Sequence, residues 1–228
     1  MSCIRIAAKV QPAKQAIIVF HGLGDTGMGW TFLAEHLQKN ERFQRTNFIF
    51  PTAPTVPVAM AGCRMPSWFD LFEPGFDTDK WDVDGIKKSL NILNGYVKEQ
   101  MDAGITSKNI VVGGFSQGAA LTLASIKFLP WEMAAFVSLS GFVPMKKSLR
   151  GMSNNVNRST RVFHGHGGMD MMVPHERAEE ARSFFKDECS MQNYELHTYP
   201  MMEHSASEPE LEDLEKFLSE VFDAVKSE

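Results

Sequence analysis

Residues 109–128 read NIVVGGFSQGAALTLASIKF, a short apolar run joined to an alanine- and leucine-rich segment through Gly114-Phe115-Ser116-Gln117-Gly118. Asn109 to Gly113 suits a strand buried on both faces, and Gln117 to Phe128 reads as a helix. A serine between such a strand and helix, with glycines two residues to either side, is the G-x-S-x-G nucleophile pattern in the context the pattern requires. The serine must occupy a sharp turn, and the flanking glycines let the backbone pass closely without clash. Ser116 Oγ is then expected to stand at the carboxyl edge of a sheet. The helix N-terminus behind it would aim backbone N–H groups at developing negative charge.

The same alternation extends along the chain. Ala16 to Phe20, Thr46 to Phe50, Ala134 to Leu139, Thr160 to His164 and Tyr194 to Tyr199 read as further strands. Val83, Ile86, Leu90, Leu93, Val97 and Met101 form one helical stripe, and Thr31 to Leu37 and His175 to Lys186 read as helices. In the last helix Ser207 is the expected N-cap and Glu210 completes a capping box, with Leu211, Leu214, Phe217, Leu218, Val221, Phe222 and Val225 on its apolar face. Strand and helix in alternation predict an α/β fold, a mostly parallel sheet with helices on both faces. Its 228 residues are expected to form a single domain. Pro51 to Asp79 is the irregular part, with five prolines (51, 54, 57, 66 and 74) and Trp68, Phe69, Phe72 and Phe76; it reads as a packed loop walling a site.

Composition excludes several classes. A net charge of −5 with no long basic run gives no footprint for nucleic acid. Cys3, Cys63 and Cys189 are too few and scattered for a disulfide framework or a zinc motif. The N-terminus lacks the apolar stretch of a secretory signal, and no apolar run reaches spanning length. The expected compartment is the cytoplasm, with reduced thiols. Cys3 is read as a free thiol, with fatty acylation as the alternative.

A serine hydroxyl needs a base, and the base an orienting carboxylate. Behind an elbow of this kind they follow in the order acid, then histidine. Asp170 lies in a glycine-rich loop after the Thr160 to His164 strand, whereas its competitors Asp187 and Asp213 fall within predicted helices. His204 lies between the last strand and the last helix; His197 is inside a strand and His166 precedes the acid. Ser116, Asp170 and His204 are therefore the expected triad. Two N–H donors should face the oxyanion, one from Gln117 and one from Leu23 in the His21-Gly22-Leu23-Gly24-Asp25 loop. The chemistry requires no metal or organic cofactor.

Two rival readings use the same residues. Gly22, Gly24 and Gly27 spell G-x-G-x-x-G after a strand, the mark of a dinucleotide-binding oxidoreductase. The following strand ends in Phe50-Pro51-Thr52, with no acid to hold a ribose, and the reading leaves Gly-Phe-Ser-Gln-Gly unexplained. His164, His166 and Asp170 could instead be metal ligands, although no further ligand adjoins them at a familiar spacing.

Taken together, His21-Gly-Leu-Gly-Asp25, Pro51-Thr-Ala-Pro54, Met65-Pro-Ser-Trp-Phe-Asp70, Gly113-Gly-Phe-Ser-Gln-Gly118, Leu139-Ser-Gly-Phe142, Met169-Asp-Met-Met-Val-Pro174 and His204-Ser205 resemble the acyl-protein thioesterases, the lysophospholipase-like type II carboxylesterases. The resemblance runs over nearly the whole length. It implies an α/β-hydrolase fold without a large lid domain, and cleavage of fatty-acyl thioesters on S-acylated proteins and of lysophospholipid or other carboxyl esters, with a short-chain carboxylesterase as the alternative. It supports the same triad and oxyanion donors, and implies that Trp68 and its neighbour Phe69 border the acyl channel. The chain departs from the family pattern at Gly168, where an acid is common, at Ala119-Ala120, and over Phe72 to Trp81. Of Met169, Met171, Met172, Met201 and Met202, at least half are expected to fill core; Met172 with Val173 is the expected adaptable contact for an acyl chain. Transient contact with a membrane surface and a weak homodimer are the remaining partner expectations.

A histidine base predicts a rate that falls on the acid side as the imidazole protonates. A flat pH–rate profile between about pH 5 and 8 would exclude it.

Overall fold

The computed structural model describes residues 2–73 and 80–225. Pro74, Phe76 and Asp79 of the irregular segment lie outside the described residues, as does the side chain of Val225.

Six of the strands are those the sequence marks. β2 (Gln15–Phe20), β3 (Thr46–Pro51), β6 (Ile110–Phe115), β7 (Ala135–Leu139), β8 (Arg161–Gly167) and β9 (Tyr194–Tyr199) run parallel. The seventh, β1 (Cys3–Ile6), pairs antiparallel with β3 and closes one edge, in the order β1-β3-β2-β6-β7-β8-β9. Sequence reading missed β1, because Cys-Ile-Arg-Ile is too short to show a period and its strand character comes from its partner. It also left Pro51 to Asp79 without regular structure, whereas β4 (Thr55–Val58) and β5 (Cys63–Pro66) form an antiparallel hairpin there. Their prolines, Pro57 and Pro66, are tolerated because an isolated two-stranded ribbon has open edges.

The helices cover both faces. α2 (Val83–Asp102) and α3 (Gln117–Phe128) belong to one side; Leu90, Leu93, Val97, Leu121, Leu123 and Ala124 pack there on Ile18, Val112 and Phe136. α1 (Phe32–Leu37) and α6 (Glu208–Val225) cover the other, where Leu33, Leu214, Phe217 and Phe222 meet Val19, Val111, Val137 and Phe163. Alternate residues of each strand thus feed two separate cores, the reason these strands read as unbroken apolar runs. A short α4 (Lys146–Arg150) follows β7, and α5 (Glu176–Ser183) continues as a π-helical turn over Phe184–Glu188, where one long helix was expected. Among the described residues no helix is long and apolar enough to cross a membrane.

The start of α6 differs from its sequence reading. Glu210 N–H does donate to Ser207 Oγ, at 3.4 Å, but the Glu210 carboxylate does not return to complete a capping box. It is fully buried, and both oxygens lack a hydrogen-bond partner. It occupies the space left by the missing side chain of Gly165, where a Cβ would lie 2.2 Å from Glu210 Oε1. Desolvation pushes this carboxyl up to about 8, outweighing the bond at Ser207. A carboxyl whose folded value lies above its unfolded value favours the folded state while protonated. This contribution is whole below the ordinary value of 4.5 and is lost as the pH rises through about 8. Glu210→Gln removes the titration. Between pH 5 and 9 the unfolding free energy of the unaltered protein should fall by about 2–4 kcal/mol more than that of the variant. Denaturant melts across that range check this; parallel profiles would contradict a buried protonated Glu210.

Candidate active site

Parallel strands deliver their following loops to one edge of the sheet. There β2 is followed by Leu23, β6 by Ser116, β8 by Asp170 and β9 by His204. The turn at Ser116 is strained: φ is 52° and ψ −114°, outside the regions an L-residue ordinarily occupies. Two close approaches require glycine beside it. A Cβ on Gly114 would lie 2.4 Å from the backbone of Gly118, and one on Gly118 would lie 2.0 Å from the Phe20 carbonyl oxygen. Ser116 N–H donates to Leu139 O at 2.9 Å, tying the turn to β7.

The three expected residues meet. His204 Nε2 lies 2.9 Å from Ser116 Oγ, and His204 Nδ1 lies 2.7 Å from Asp170 Oδ2. An ionised carboxylate can only accept, so Nδ1 carries the proton and Nε2 presents its lone pair to the serine hydroxyl. Asp170 Oδ1 accepts from the N–H groups of Met172 and Val173 at 2.9 and 2.8 Å. Burial pushes the Asp170 carboxyl up, but the bonds from His204 and Val173 and the nearby imidazoles outweigh it and hold it below its ordinary value. The Phe115 ring packs 4.8 Å from the His204 ring, centroid to centroid, and limits its rotation.

The competitors lie elsewhere. His197 stacks on Phe163 at 4.6 Å, on the face covered by α6. His166 is buried on the far side of Asp170, and Asp213 accepts from Tyr199 Oη at 3.0 Å. Asp187 sits in the π-helical turn. Among the described residues no group of three or more His, Cys, Asp or Glu converges to hold a metal ion, which removes the reading of His164, His166 and Asp170 as ligands. The glycines of the G-x-G-x-x-G loop have structural reasons of their own. Gly24 has a φ of +78°, and a Cβ on Gly27 would lie 2.1 Å from the Phe50 carbonyl oxygen. An acid at Gly168, as the family resemblance suggests, would bring its Cβ to 2.8 Å from the Pro200 carbonyl oxygen.

Leu23 and Gln117 border the serine, and among the described residues neither backbone N–H is engaged in a hydrogen bond. The loop carrying Leu23 is clamped by His21. Its Nδ1–H donates to Gly22 O at 2.6 Å, and its Nε2 accepts from Ala53 N–H at 2.9 Å. The Gln117 side chain, for which sequence reading had no use, holds the segment after β5. Its Oε1 accepts from Trp68 N–H at 2.9 Å and its Nε2 donates to Phe69 O at 2.9 Å.

A cavity of about 430 Å³ opens at Ser116, with Met60, Leu71, Trp81, Phe142, Met172 and Val173 among its walls. Trp68 and Phe69 do not wall it, which corrects the expectation for both. Each is only 2% exposed and packs into the core, and the Trp68 indole N–H donates to His21 O at 2.9 Å. Trp68 therefore supports the loop of Leu23 from behind. Leu71, Trp81 and Phe142 supply the wall instead; Trp81 stacks on Phe142 at 5.7 Å. Their aromatic and aliphatic character was visible in sequence, but no local pattern pointed them at Ser116. The methionines also depart from expectation: only Met202 is buried, while Met169, Met171, Met172 and Met201 are exposed. Met171 and Met172 border the cavity.

Comparison with known proteins gives a consistent answer. The family model described as Phospholipase/Carboxylesterase matches residues 1–222. The chain is 48% identical to acyl-protein thioesterase 1 of Saccharomyces cerevisiae, over 96% of this chain and 97% of the yeast protein. It is 45% identical to acyl-protein thioesterase 1 of Kluyveromyces lactis, with the same coverage. Among solved structures, acyl-protein thioesterase 2 of Zea mays superimposes with a TM-score of 0.86 at 26% identity, covering 97% of this chain and 99% of the maize chain. Arabidopsis thaliana SOBER1 gives 0.84 at 29% identity, covering 92% and 99%.

Replacing Gln117 by alanine keeps its backbone N–H but leaves Trp68 N–H buried without a partner, while Phe69 O keeps only the Ser67 hydroxyl. The expected cost is roughly 1–3 kcal/mol of stability. Denaturant unfolding of Gln117→Ala measures it, and an unchanged midpoint would show that the clamp contributes nothing.

Proposed function

Because the chain belongs to the phospholipase/carboxylesterase family of α/β-hydrolases, and is a serine hydrolase, we propose that it cleaves fatty-acyl thioesters of S-acylated proteins, and related carboxyl or lysophospholipid esters, through an acyl-enzyme on Ser116. The oxidoreductase reading is withdrawn, since family membership and the steric reasons for Gly24 and Gly27 leave it without support. The observation that carries the proposal is the apolar cavity opening at Ser116, with Leu71, Trp81, Phe142 and Val173 in its walls. Such a wall fits a long hydrocarbon chain, whose burial contributes about 0.8 kcal/mol per methylene. Met172 adds a flexible, polarisable contact beside it.

In the proposed reaction His204 Nε2 takes the proton of Ser116 as Oγ attacks the acyl carbon. Asp170 holds the imidazole in the required tautomer and stabilises the imidazolium. The N–H groups of Leu23 and Gln117 receive the oxyanion, whose stabilisation is among the larger contributions in such sites. The tetrahedral intermediate collapses by breaking the carbon–sulfur bond. A cysteine thiolate is a good leaving group, with an ordinary pKa of about 8.5, and the imidazolium supplies its proton. Water then enters, gives a proton to His204 and attacks the acyl-enzyme. The acid is released and Ser116 is restored.

Exposed Met60, Met171 and Met172 at the mouth support transient contact with a membrane surface, where acylated substrates reside, and the same apolar rim supports weak self-association. Three unpaired cysteines suit a reducing compartment, and the cytoplasm is the proposed one.

Hydrolysis of palmitoyl and acetyl thioesters by the unaltered protein and by Ser116→Ala tests the reading. The palmitoyl substrate should be preferred, and the variant, while folded, should lose at least about 10³-fold in kcat/KM. Turnover of the acetyl substrate alone would make this a short-chain esterase, and an active variant would remove Ser116 from the chemistry.

A further inference from the structure

Behind Asp170 lies a line of buried polar side chains that the reaction above does not use. His164 and His166 alternate on β8 and so share one face of the strand. Both are fully buried, and Tyr194, which opens β9, is 4% exposed. Polar groups buried to this degree are costly unless paired, and apolar side chains would fill the same space at lower cost. Here they are linked. Tyr194 Oη lies 2.7 Å from His164 Nδ1, and His164 Nε2 lies 3.4 Å from His166 Nδ1. His166 Nε2 then lies 2.8 Å from Val173 O and 3.6 Å from Asp170 Oδ2.

The partners fix the direction of the line. A backbone carbonyl can only accept, so His166 carries its proton on Nε2 and presents a lone pair at Nδ1. His164 Nε2–H faces that lone pair, and His164 Nδ1 accepts from the Tyr194 hydroxyl. Desolvation pushes both imidazoles below their ordinary value, which keeps them neutral. The titratable groups facing His166 are His164, Asp170, His175 and His204. The one N–H at the end of the line addresses both parts of the acid turn: the carbonyl of Val173, whose own N–H donates to Asp170 Oδ1, and the carboxylate oxygen that receives His204.

We propose that His166 is a positioning residue for the triad: its Nε2–H, oriented by His164 and Tyr194, holds the Asp170–Val173 turn and draws on the negative charge of Asp170 Oδ2. The proposal rests on the assignment of Asp170 as the orienting acid. Without this N–H the Val173 carbonyl loses its partner, and the acid turn is held only by the bonds that Met172, Val173 and His204 make to Asp170. The charge of Asp170 Oδ2, no longer shared with His166, then falls more fully on His204.

Three substitutions test it. Asp170→Asn examines the triad assignment by itself and should lower kcat by about 10⁴-fold. His166→Leu keeps the bulk and removes the N–H. It should lower kcat by about 10- to 100-fold with KM within about 2-fold, and shift the acid limb of kcat/KM upward. His166→Gln offers an amide N–H to Val173 and an oxygen to His164, and should recover kcat to within about 5-fold. Nitrogen-15 shifts of the unaltered protein should place the His166 proton on Nε2. In Tyr194→Phe, where His164 Nδ1 loses its donor, the His164 resonances should show mixed tautomers.

A fully active Asp170→Asn overturns the triad assignment whatever His166 does. An inactive Asp170→Asn, together with a folded His166→Leu of unchanged kcat and acid limb, overturns the positioning role alone. So does a His166→Gln no better than His166→Leu. A proton found on His166 Nδ1 overturns it even where the substituted proteins fail to fold.

Discussion

The backbone at Ser116 is the constraint on which the site depends. A non-glycine residue held at φ 52° and ψ −114° costs free energy that local sequence does not return. The surroundings hold it there. Gly118 approaches the end of β2 so closely that no side chain fits, Gly114 approaches Gly118 in the same way, and the Ser116 amide is bonded to β7. The turn is therefore locked between the two strands that flank β6. The strain has a use, because it projects Oγ away from the sheet while α3 begins at the next residue.

The parallel sheet does the rest by geometry. The six parallel strands end at the same edge, so residues 88 positions apart in the chain, Ser116 and His204, come within hydrogen-bonding distance. The two cores above and below the sheet make that edge rigid. Rigidity matters because the proposed reaction gains from donors and a base that are already in place and need not reorganise. Much of the polar interior serves the same end. His21 braces the loop of Leu23, Gln117 braces the segment of Trp68 and Phe69, and the line from Tyr194 to His166 ends on the acid turn. Glu210 is the exception. It is buried and unpartnered on the opposite face of the sheet, and its effect falls on stability.

The cavity joins rigid and adaptable parts. Phe142 and Val173 are buried in the core on the α2 and α3 side of the sheet. Met60, Met171 and Met172 are exposed at the same opening, where unbranched thioether chains accommodate varied partners. A substrate with an apolar tail and a polar, variable head would meet the fixed wall with the tail and the adaptable rim with the head.

Much of this was legible in the sequence, for physical reasons that act locally. Apolar runs bounded by turns specify buried strands, the helical stripe specifies α2, and the elbow glycines with their serine specify the turn between β6 and α3. Fixed chain order after such an elbow singles out Asp170 and His204, because a parallel sheet returns each following loop to the same edge. What the tertiary structure alone decided are features whose cause lies far away in the chain. β1 is a strand because β3 offers it an edge. Trp68 and Phe69 face inward because the Gln117 side chain, nearly 50 residues on, holds their backbone. Glu210 leaves its capping role because Gly165 leaves it a space. Leu71, Trp81 and Phe142 wall the cavity only because three separate segments converge beside Ser116. Local pattern fixes which side chains are apolar and where the chain turns; which of them meet depends on packing between elements, and no local period encodes that.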